Sequence, residues 1–210
     1  EKFGNPRKCE ILPDEGEIAI EDLIANEGMI CTLSHRGYVK RTSASEYRLQ
    51  GRGGKGVRGM ETRGANEDDD DFVEHLFSAQ AHDYLMFFTN TGRVYVERVH
   101  EIPDLGRTAK GRSIANVLEL KHGEKIADVI RVKAVHDKDK NDITWQQDHC
   151  IFFATRNGTV KKTALSDYAN VRRGGIIAIK IVPGDMLIEA GIAKEYIGKK
   201  KTYQWCEEKK

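Results

Sequence analysis

At 210 residues the chain suffices for one large domain or two small ones, and with 39% hydrophobic and 32% charged residues it reads as soluble and able to bury a core. No apolar run approaches membrane-spanning length and no basic-then-apolar leader is present, which argues against a spanning helix and a secretory signal. A net charge of +1 argues at first against a polyanion binder, but the charge is segregated.

Residues 1–20 hold two of the four prolines and alternate little; they read as a leading segment or linker. Apolar strands are predicted to begin near Asp22-Leu23-Ile24, to turn at Asn26-Glu27-Gly28 and to resume at Met29-Ile30-Cys31-Thr32-Leu33. From Arg36 to Arg63 there are eight basic residues (Arg36, Lys40, Arg41, Arg48, Arg52, Lys55, Arg58, Arg63) against Glu46 and Glu61. Residues 67–83 then carry seven acids and no Lys or Arg. One basic surface is compatible with that division.

Inside the basic block lies Gln50-Gly51-Arg52-Gly53-Gly54-Lys55-Gly56, followed by Val57, Arg58 and Gly59. Glycines let a backbone approach another surface closely, and bare amides beside two cations suit anion contact. A solvated turn is the plain alternative. The string also fits G-x-G-x-x-G, but no strand precedes it and Gly59 stands where a helix should begin. A Walker A loop needs Ser or Thr after the lysine, and Gly56 stands there instead.

Three segments then agree when aligned on a glycine: Ile30 to Lys40 on Gly37, Leu85 to Tyr95 on Gly92, and Ile151 to Lys161 on Gly158. Each is an apolar run, a hydroxyl residue three before the glycine, and a strand with Val two after it. That pattern predicts a β-hairpin. A polar, basic, glycine-containing loop and a further β-rich stretch follow the second and third hairpins. These are residues 106–112 (with Arg107, Lys110 and Arg112) before 114–120, and residues 171–175 (with Arg172 and Arg173) before 176–181. The glycines stand 55 and 66 residues apart, which suits a four-stranded propeller-type blade with an insertion around Asp137 to Gln147. The domain plan is three blades at 21–83, 84–136 and 149–188, then a lysine-rich tail or incomplete blade at 189–210. An open arc with residues 189–210 poorly packed is expected.

Cys9, Cys31, Cys150 and Cys206 form no C-x-x-C pair and read as reduced thiols of a cytosolic protein. Asp137-Lys138-Asp139-Lys140-Asn141 begins like a calcium loop, but Asp142 stands where glycine is needed, so a solvated connection is expected. The histidines lack metal spacing. Phe87, Phe88, Phe152 and Phe153 are expected in the core.

The hairpins, the GRGGKG string, FFTNTGRVYVERV, FFATRNGTVKKTALSDY and VRRGGIIAIKI resemble the carboxy-terminal domain of the bacterial DNA gyrase A subunit over about residues 7–188. The resemblance implies an all-β pinwheel, a propeller-like disc whose blades exchange strands. It also implies non-sequence-specific binding and wrapping of duplex DNA around a basic rim, in support of ATP-dependent negative supercoiling. The family box reads Q-R-R-G-G-K-G; Gln50, Arg52, Gly53, Gly54, Lys55 and Gly56 match it, while Gly51 replaces the first arginine. With Arg58, Arg36, Lys40, Arg41, Arg93, Arg107, Lys110, Arg112, Lys161, Lys162, Arg172 and Arg173 they are the candidate DNA contacts. No catalytic or metal-binding residue is implied here; ATP and Mg2+ act in other domains of the parent enzyme. The implied partners are DNA, the breakage-reunion domain and the ATPase subunit of an A2B2 assembly, in the cytoplasm. A topoisomerase IV-type domain, a protein-interaction scaffold and a nucleotide-using enzyme are the alternatives.

Overall fold

The computed structural model describes residues 23–62, 71–138 and 141–194. The three repeat glycines make one and the same turn. Gly37, Gly92 and Gly158 sit at φ of 82°, 80° and 86°, in the left-handed region where a side chain is strained. Each glycine amide donates to the carbonyl of the hydroxyl residue three earlier: Ser34 at 2.9 Å, Thr89 at 2.9 Å and Thr155 at 3.0 Å. The hydroxyl of that residue accepts from the amide after the glycine, with Tyr38, Arg93 and Thr159 as donors at 3.1, 3.2 and 3.1 Å. The repeated Ser/Thr therefore closes the turn from the side-chain end.

These turns join β1 (Gly28–Ser34) to β2 (Tyr38–Ser43), β4 (Tyr84–Thr89) to β5 (Arg93–Arg98) and β8 (His149–Thr155) to β9 (Val160–Ala164). Each hairpin gains a third antiparallel strand on its first member. These are β3 (Val73–Gln80), β7 (Ile126–Val132) and β11 (Leu187–Lys194). A fourth strand comes from the unit that follows: β6 (Arg112–Ser113) pairs with β2, and β10 (Ile176–Ile177) pairs with β5. The result is two four-stranded sheets, ordered β3-β1-β2-β6 and β10-β5-β4-β7, and a three-stranded sheet β11-β8-β9. The fold is all-β, with short 3-10 turns between strands.

Several strand expectations are corrected. Leu23 and Ile24 precede β1 in a turn, and the first described strand starts at Gly28. Of the β-rich stretches after the basic loops, residues 176–181 contribute only the two extended residues of β10, and residues 114–120 contribute none, β6 lying just before them; Ile114–Asn116 is a 3-10 turn because its amides close locally, Val117 N to Ile114 O at 2.9 Å. The third blade has three described strands, and it does not end at 188. Residues 189–194 pair with β8, Ala190 opposite Phe153 and Ile192 opposite Ile151. Residues 1–22 and 195–210, with the leading segment and most of the lysine-rich tail, lie outside the described residues.

Strand alternation gives the middle sheet two apolar faces, and the blades stack through them. Met29, Cys31, Leu33 and Val39 of the first blade pack with Leu85, Phe87 and Tyr95 of the second. The opposite face of the second blade, Met86, Phe88 and Val94, packs with Ile151 and Phe153 of the third. Phe88 and Phe153 meet edge-to-face at 5.4 Å. Each such side chain contributes about 1.5–3 kcal/mol on burial. Phe87, Phe88 and Phe153 are core residues as expected, but Phe152 is not: it is 40% exposed on the far face of the third blade.

Strands β3, β7 and β11 touch in succession and form the hub. Two carboxylates tie it together. Asp83 accepts from Gln80 N at 2.7 Å, Ala134 N at 2.9 Å and Arg131 Nε at 2.7 Å. Asp128 accepts from Ala190 N at 2.9 Å and joins β7 to β11.

A third carboxylate fixes the second blade's turn. Glu124 is almost wholly enclosed and accepts from Tyr95 Oη at 2.6 Å, Lys121 N at 2.9 Å and Thr91 Oγ1 at 2.9 Å. Burial pushes its pKa up, but these hydrogen bonds and the Arg93 charge outweigh burial and hold it below the ordinary 4.5. A depressed carboxylate pKa stabilises the fold above the unfolded value, and that stability is lost as pH falls through the folded value. Glu124→Gln should therefore melt lower than the native chain at pH 7, by about 4–8 °C. In thermal scans at stepped pH the gap should close below 4.5; a gap unchanged down to pH 3 would show that packing and not charge is lost.

Candidate nucleic-acid interface

The outer edge of each sheet lies opposite the hub, and here the glycine-rich loops sit. Residues 50–56 form a tight projecting loop: Gly54 N donates to Gly51 O at 3.1 Å, and Gly56 N donates to the Gln50 carboxamide at 2.9 Å. A Cβ on Gly54 would stand 2.7 Å from that carboxamide oxygen, so the second glycine of the pair makes room for the Gln50 staple. Gly53 and Gly56 take φ of 80° and 72°. Arg52 and Lys55 are exposed, with no hydrogen bond or ion pair among the described residues. Arg58, also exposed, pairs with Glu61 at 2.9 Å.

The loop of the second unit crosses over to lie against this one. Arg107 Nη1 donates to Arg58 O at 2.9 Å and Arg107 N to Glu46 Oε2 at 3.2 Å. Thr42 Oγ1 donates to Leu105 O at 2.9 Å, and Lys110 stands over the Tyr38 ring at 4.5 Å. Gly111 sits against Met60 and the Val39 carbonyl, where a Cβ would have 3.0 Å to each. Strand exchange thus gathers Arg52, Lys55, Arg58, Arg107, Lys110 and the exposed Arg112 onto two adjoining loops of one blade. Sequence alone assigned them to two different units.

Three of the expected cations are placed elsewhere, and the expectation of surface contacts is corrected for them. Lys40 is fully buried, with its ammonium 3.0 Å from Gly106 O and 2.5 Å from Arg107 O. Burial lowers its pKa, Glu46 raises it and Arg107 lowers it further. Arg41 donates to Ile102 O at 2.7 Å and faces Asp104 at 3.5 Å. Arg93 donates to Gly174 O at 2.6 Å and Gly175 O at 2.8 Å, and its Nε lies 3.7 Å from Glu124. Lys40 and Arg93 do the same work one blade apart: each holds the loop that the next unit delivers. Sequence could have flagged this, because both belong to the strand that follows the repeat glycine.

Of the others, Arg36 is exposed at the first hairpin tip, where its amide donates to Asp71 at 3.1 Å. Arg172 and Arg173 are exposed on the loop held by Arg93. Lys161 donates to Ala178 O at 2.6 Å, and Lys162 stands 6.0 Å from the Phe152 ring centre. The cationic rim is interrupted near Arg173 by Glu97, whose carboxyl is pushed up by burial and then by Glu101. In the insertion, Asp142 is already occupied by Tyr84 Oη at 2.5 Å, Arg98 at 3.2 Å and Thr144 N at 2.9 Å.

Three blades in which the second and third units each hand a strand back to the preceding sheet, with glycine-rich cationic loops along the outer edge, define a β-pinwheel, a propeller-like repeat module. The chain belongs to the family described as the DNA gyrase C-terminal domain, beta-propeller, which it matches over residues 28–80, 83–133 and 151–194. It is 44% identical over 187 residues to the DNA gyrase A protein of Halalkalibacterium halodurans, and 43% over 190 residues to that of Mycolicibacterium smegmatis. These matches cover 89% and 90% of this chain but only 21% of each relative's length. Among solved structures it is similar to the C-terminal domain of DNA topoisomerase IV, with a TM-score of 0.57 and 26% identity over 80% of this chain and 46% of that one. A DNA gyrase A C-terminal domain has the same fold, with a TM-score of 0.55 and 24% identity over 80% of this chain and 49% of that one.

Proposed function

We propose that this chain binds and wraps duplex DNA along its outer rim, as the non-catalytic wrapping domain of a gyrase A protein. The observation that carries the reading is the meeting of the box loop and the second unit's loop on one blade. Six cations there lie on backbone that can approach a phosphate chain closely, and among the described residues no α-helix is offered to a groove. Exposed Arg172, Arg173, Lys161 and Lys162 continue the path onto the following blades. Membership of the gyrase family supports duplex DNA over a protein ligand. Within an A2B2 enzyme in the cytoplasm, the partners are the breakage-reunion domain of the same polypeptide and the ATPase subunit. ATP and Mg2+ serve those other parts.

The test is binding to duplexes of unrelated sequence at stepped salt, followed by ligation of minicircles on the bound protein. With roughly six to ten phosphates neutralised, affinity should fall on the order of a thousandfold or more between about 50 and 200 mM salt. It should do so equally for every sequence, and ligated circles should carry a shifted linking number. A flat salt response, or strong preference for one short sequence, would sink the reading. Binding without any change of linking number would reduce it to attachment.

A further inference from the structure

The rim of the second blade changes sign along one strand. β5 runs from Arg93, beside the hairpin turn, to Glu97, which stands opposite Leu85 near the far end of the blade. At that far end a cavity of about 420 Å³ is lined by Glu97, Glu101 and Glu119 against Arg112 and Arg173. Arg112 belongs to the cationic loop on the first blade and Arg173 to the one on the second, so the acids stand between the two stations. Burial raises the Glu97 carboxyl above its ordinary 4.5, Glu101 raises it further, Arg173 lowers it and Glu119 raises it again.

At the hairpin end the sign is reversed. A cavity of about 370 Å³ beside Arg93 is lined by Lys121, His122 and Lys180. Its one carboxylate, Glu124, is enclosed and already taken by Tyr95, Thr91 and Lys121 N. A larger cavity of about 580 Å³, also bordered by Glu124, carries Lys125 and, from the first hairpin tip, Arg36; its Glu74 is paired with His35 at 3.2 Å. The turn 121–125 therefore joins the tip of the first blade to the segment that follows β10. This turn is held on both sides. Lys125 N donates to Asn90 Oδ1 at 3.0 Å, and Asn90 N donates to Lys125 O at 2.9 Å. Lys121, Lys125 and Lys180 are exposed, and their ammonium groups take no hydrogen bond or ion pair among the described residues.

We propose that the duplex passes from the first blade to the second along the hairpin-tip side of the rim, held there by Lys121, Lys125 and Lys180 and turned away from the far side by Glu97, Glu101 and Glu119. This path rests on the DNA-wrapping reading above and gives the wrap a slant. Duplex DNA carries one negative charge per roughly 1.7 Å of axis. Laid straight from Arg112 to Arg173, it would press phosphates onto three carboxylates, and like charges set face to face are costly. On the tip side the same phosphates meet unpaired ammonium groups on a turn whose backbone is already fixed, so little ordering is lost on binding. A duplex displaced toward one face at the second blade leaves the plane of the rim, and such displacement gives a wrap its pitch.

The first measurement is lysine acetylation of the full 210-residue chain with and without a saturating duplex of mixed sequence. Lys121, Lys125 and Lys180 should lose their reactivity in the complex. Exposed Lys133 and Lys138, which follow the far end of β7, should react as in the free chain. Lys121→Gln with Lys180→Gln should keep the native melting transition, lower the slope of log affinity against log salt by about 2 and shrink the linking-number shift of ligated minicircles. Should that variant melt lower, acetylation of the native chain still decides. Lys133→Gln with Lys138→Gln makes the same change in net charge and should alter neither slope nor linking number. Adding Glu97→Gln and Glu119→Gln to the first pair should restore part of the linking-number shift, because the straight path is then open. Unchanged acetylation of the three lysines on a chain that binds duplex would overturn the path and leave the DNA-wrapping reading standing. Equal effects of the two lysine pairs, or no restoration by the glutamate substitutions, would do the same. A chain that binds no duplex at any salt would overturn both.

Discussion

Alanine at Gly92 is expected to cost about 3–5 kcal/mol, whereas alanine at Gly158 costs only about 1–2 kcal/mol. The two glycines share a turn and a backbone conformation, with φ of 80° and 86°. Both substitutions therefore carry the same left-handed strain. They differ in what lies above the turn. A Cβ on Gly92 would fall on the Ile179 carbonyl oxygen and stand 2.8 Å from Ile181 Cγ1, so the exchanged segment would have to lift from the blade. Over Gly158 there is open space. Melting should drop by about 10 °C or more for Gly92→Ala, against about 2–6 °C for Gly158→Ala. Equal losses at the two sites would mean that turn strain alone governs both, and that the exchanged segment contributes little to holding the blades together.

The same comparison shows how much of the fold was legible beforehand. The hairpins could be read because turn, hydroxyl and valine act locally: Ser34, Thr89 and Thr155 close turns only four residues away. The hub strands could not. β3 shows both faces partly to solvent, with Leu76 at 61% and Ala79 at 2%, so its alternation is blurred and its acid-rich approach reads as a linker. β6 and β10 are two residues long, too short for periodicity, and each exists only because a neighbouring blade offers an edge. The candidate site divides in the same way. A cation on a glycine loop is exposed wherever the loop goes, which made Arg52, Lys55 and Arg112 readable. A cation on a strand depends on what crosses it, and Lys40, Arg41 and Arg93 are crossed by carbonyls from 61 to 82 residues away in sequence.

Substitution of Lys40 separates holding the interface from forming it. Its ammonium fastens the second unit's loop through Gly106 O and Arg107 O, and that loop carries Arg107, Lys110 and Arg112 to the box. Lys40→Met keeps the stem's packing and removes the donors, leaving the Gly106 and Arg107 carbonyls without their partner. The cost should be about 2–4 kcal/mol. If the loop detaches, three cations leave the DNA path together, and the slope of log affinity against log salt should fall by about 2–3. The double substitution Arg52→Ala with Lys55→Ala should behave in the opposite sense. Both residues are exposed on the loop, so melting should stay within about 1 kcal/mol of native while the salt slope falls by about 2. Melting and salt dependence therefore move together for the buried lysine and separately for the box. A Lys40→Met chain of native stability with weakened DNA binding would place that ammonium on the phosphates, and the loop would need another tether.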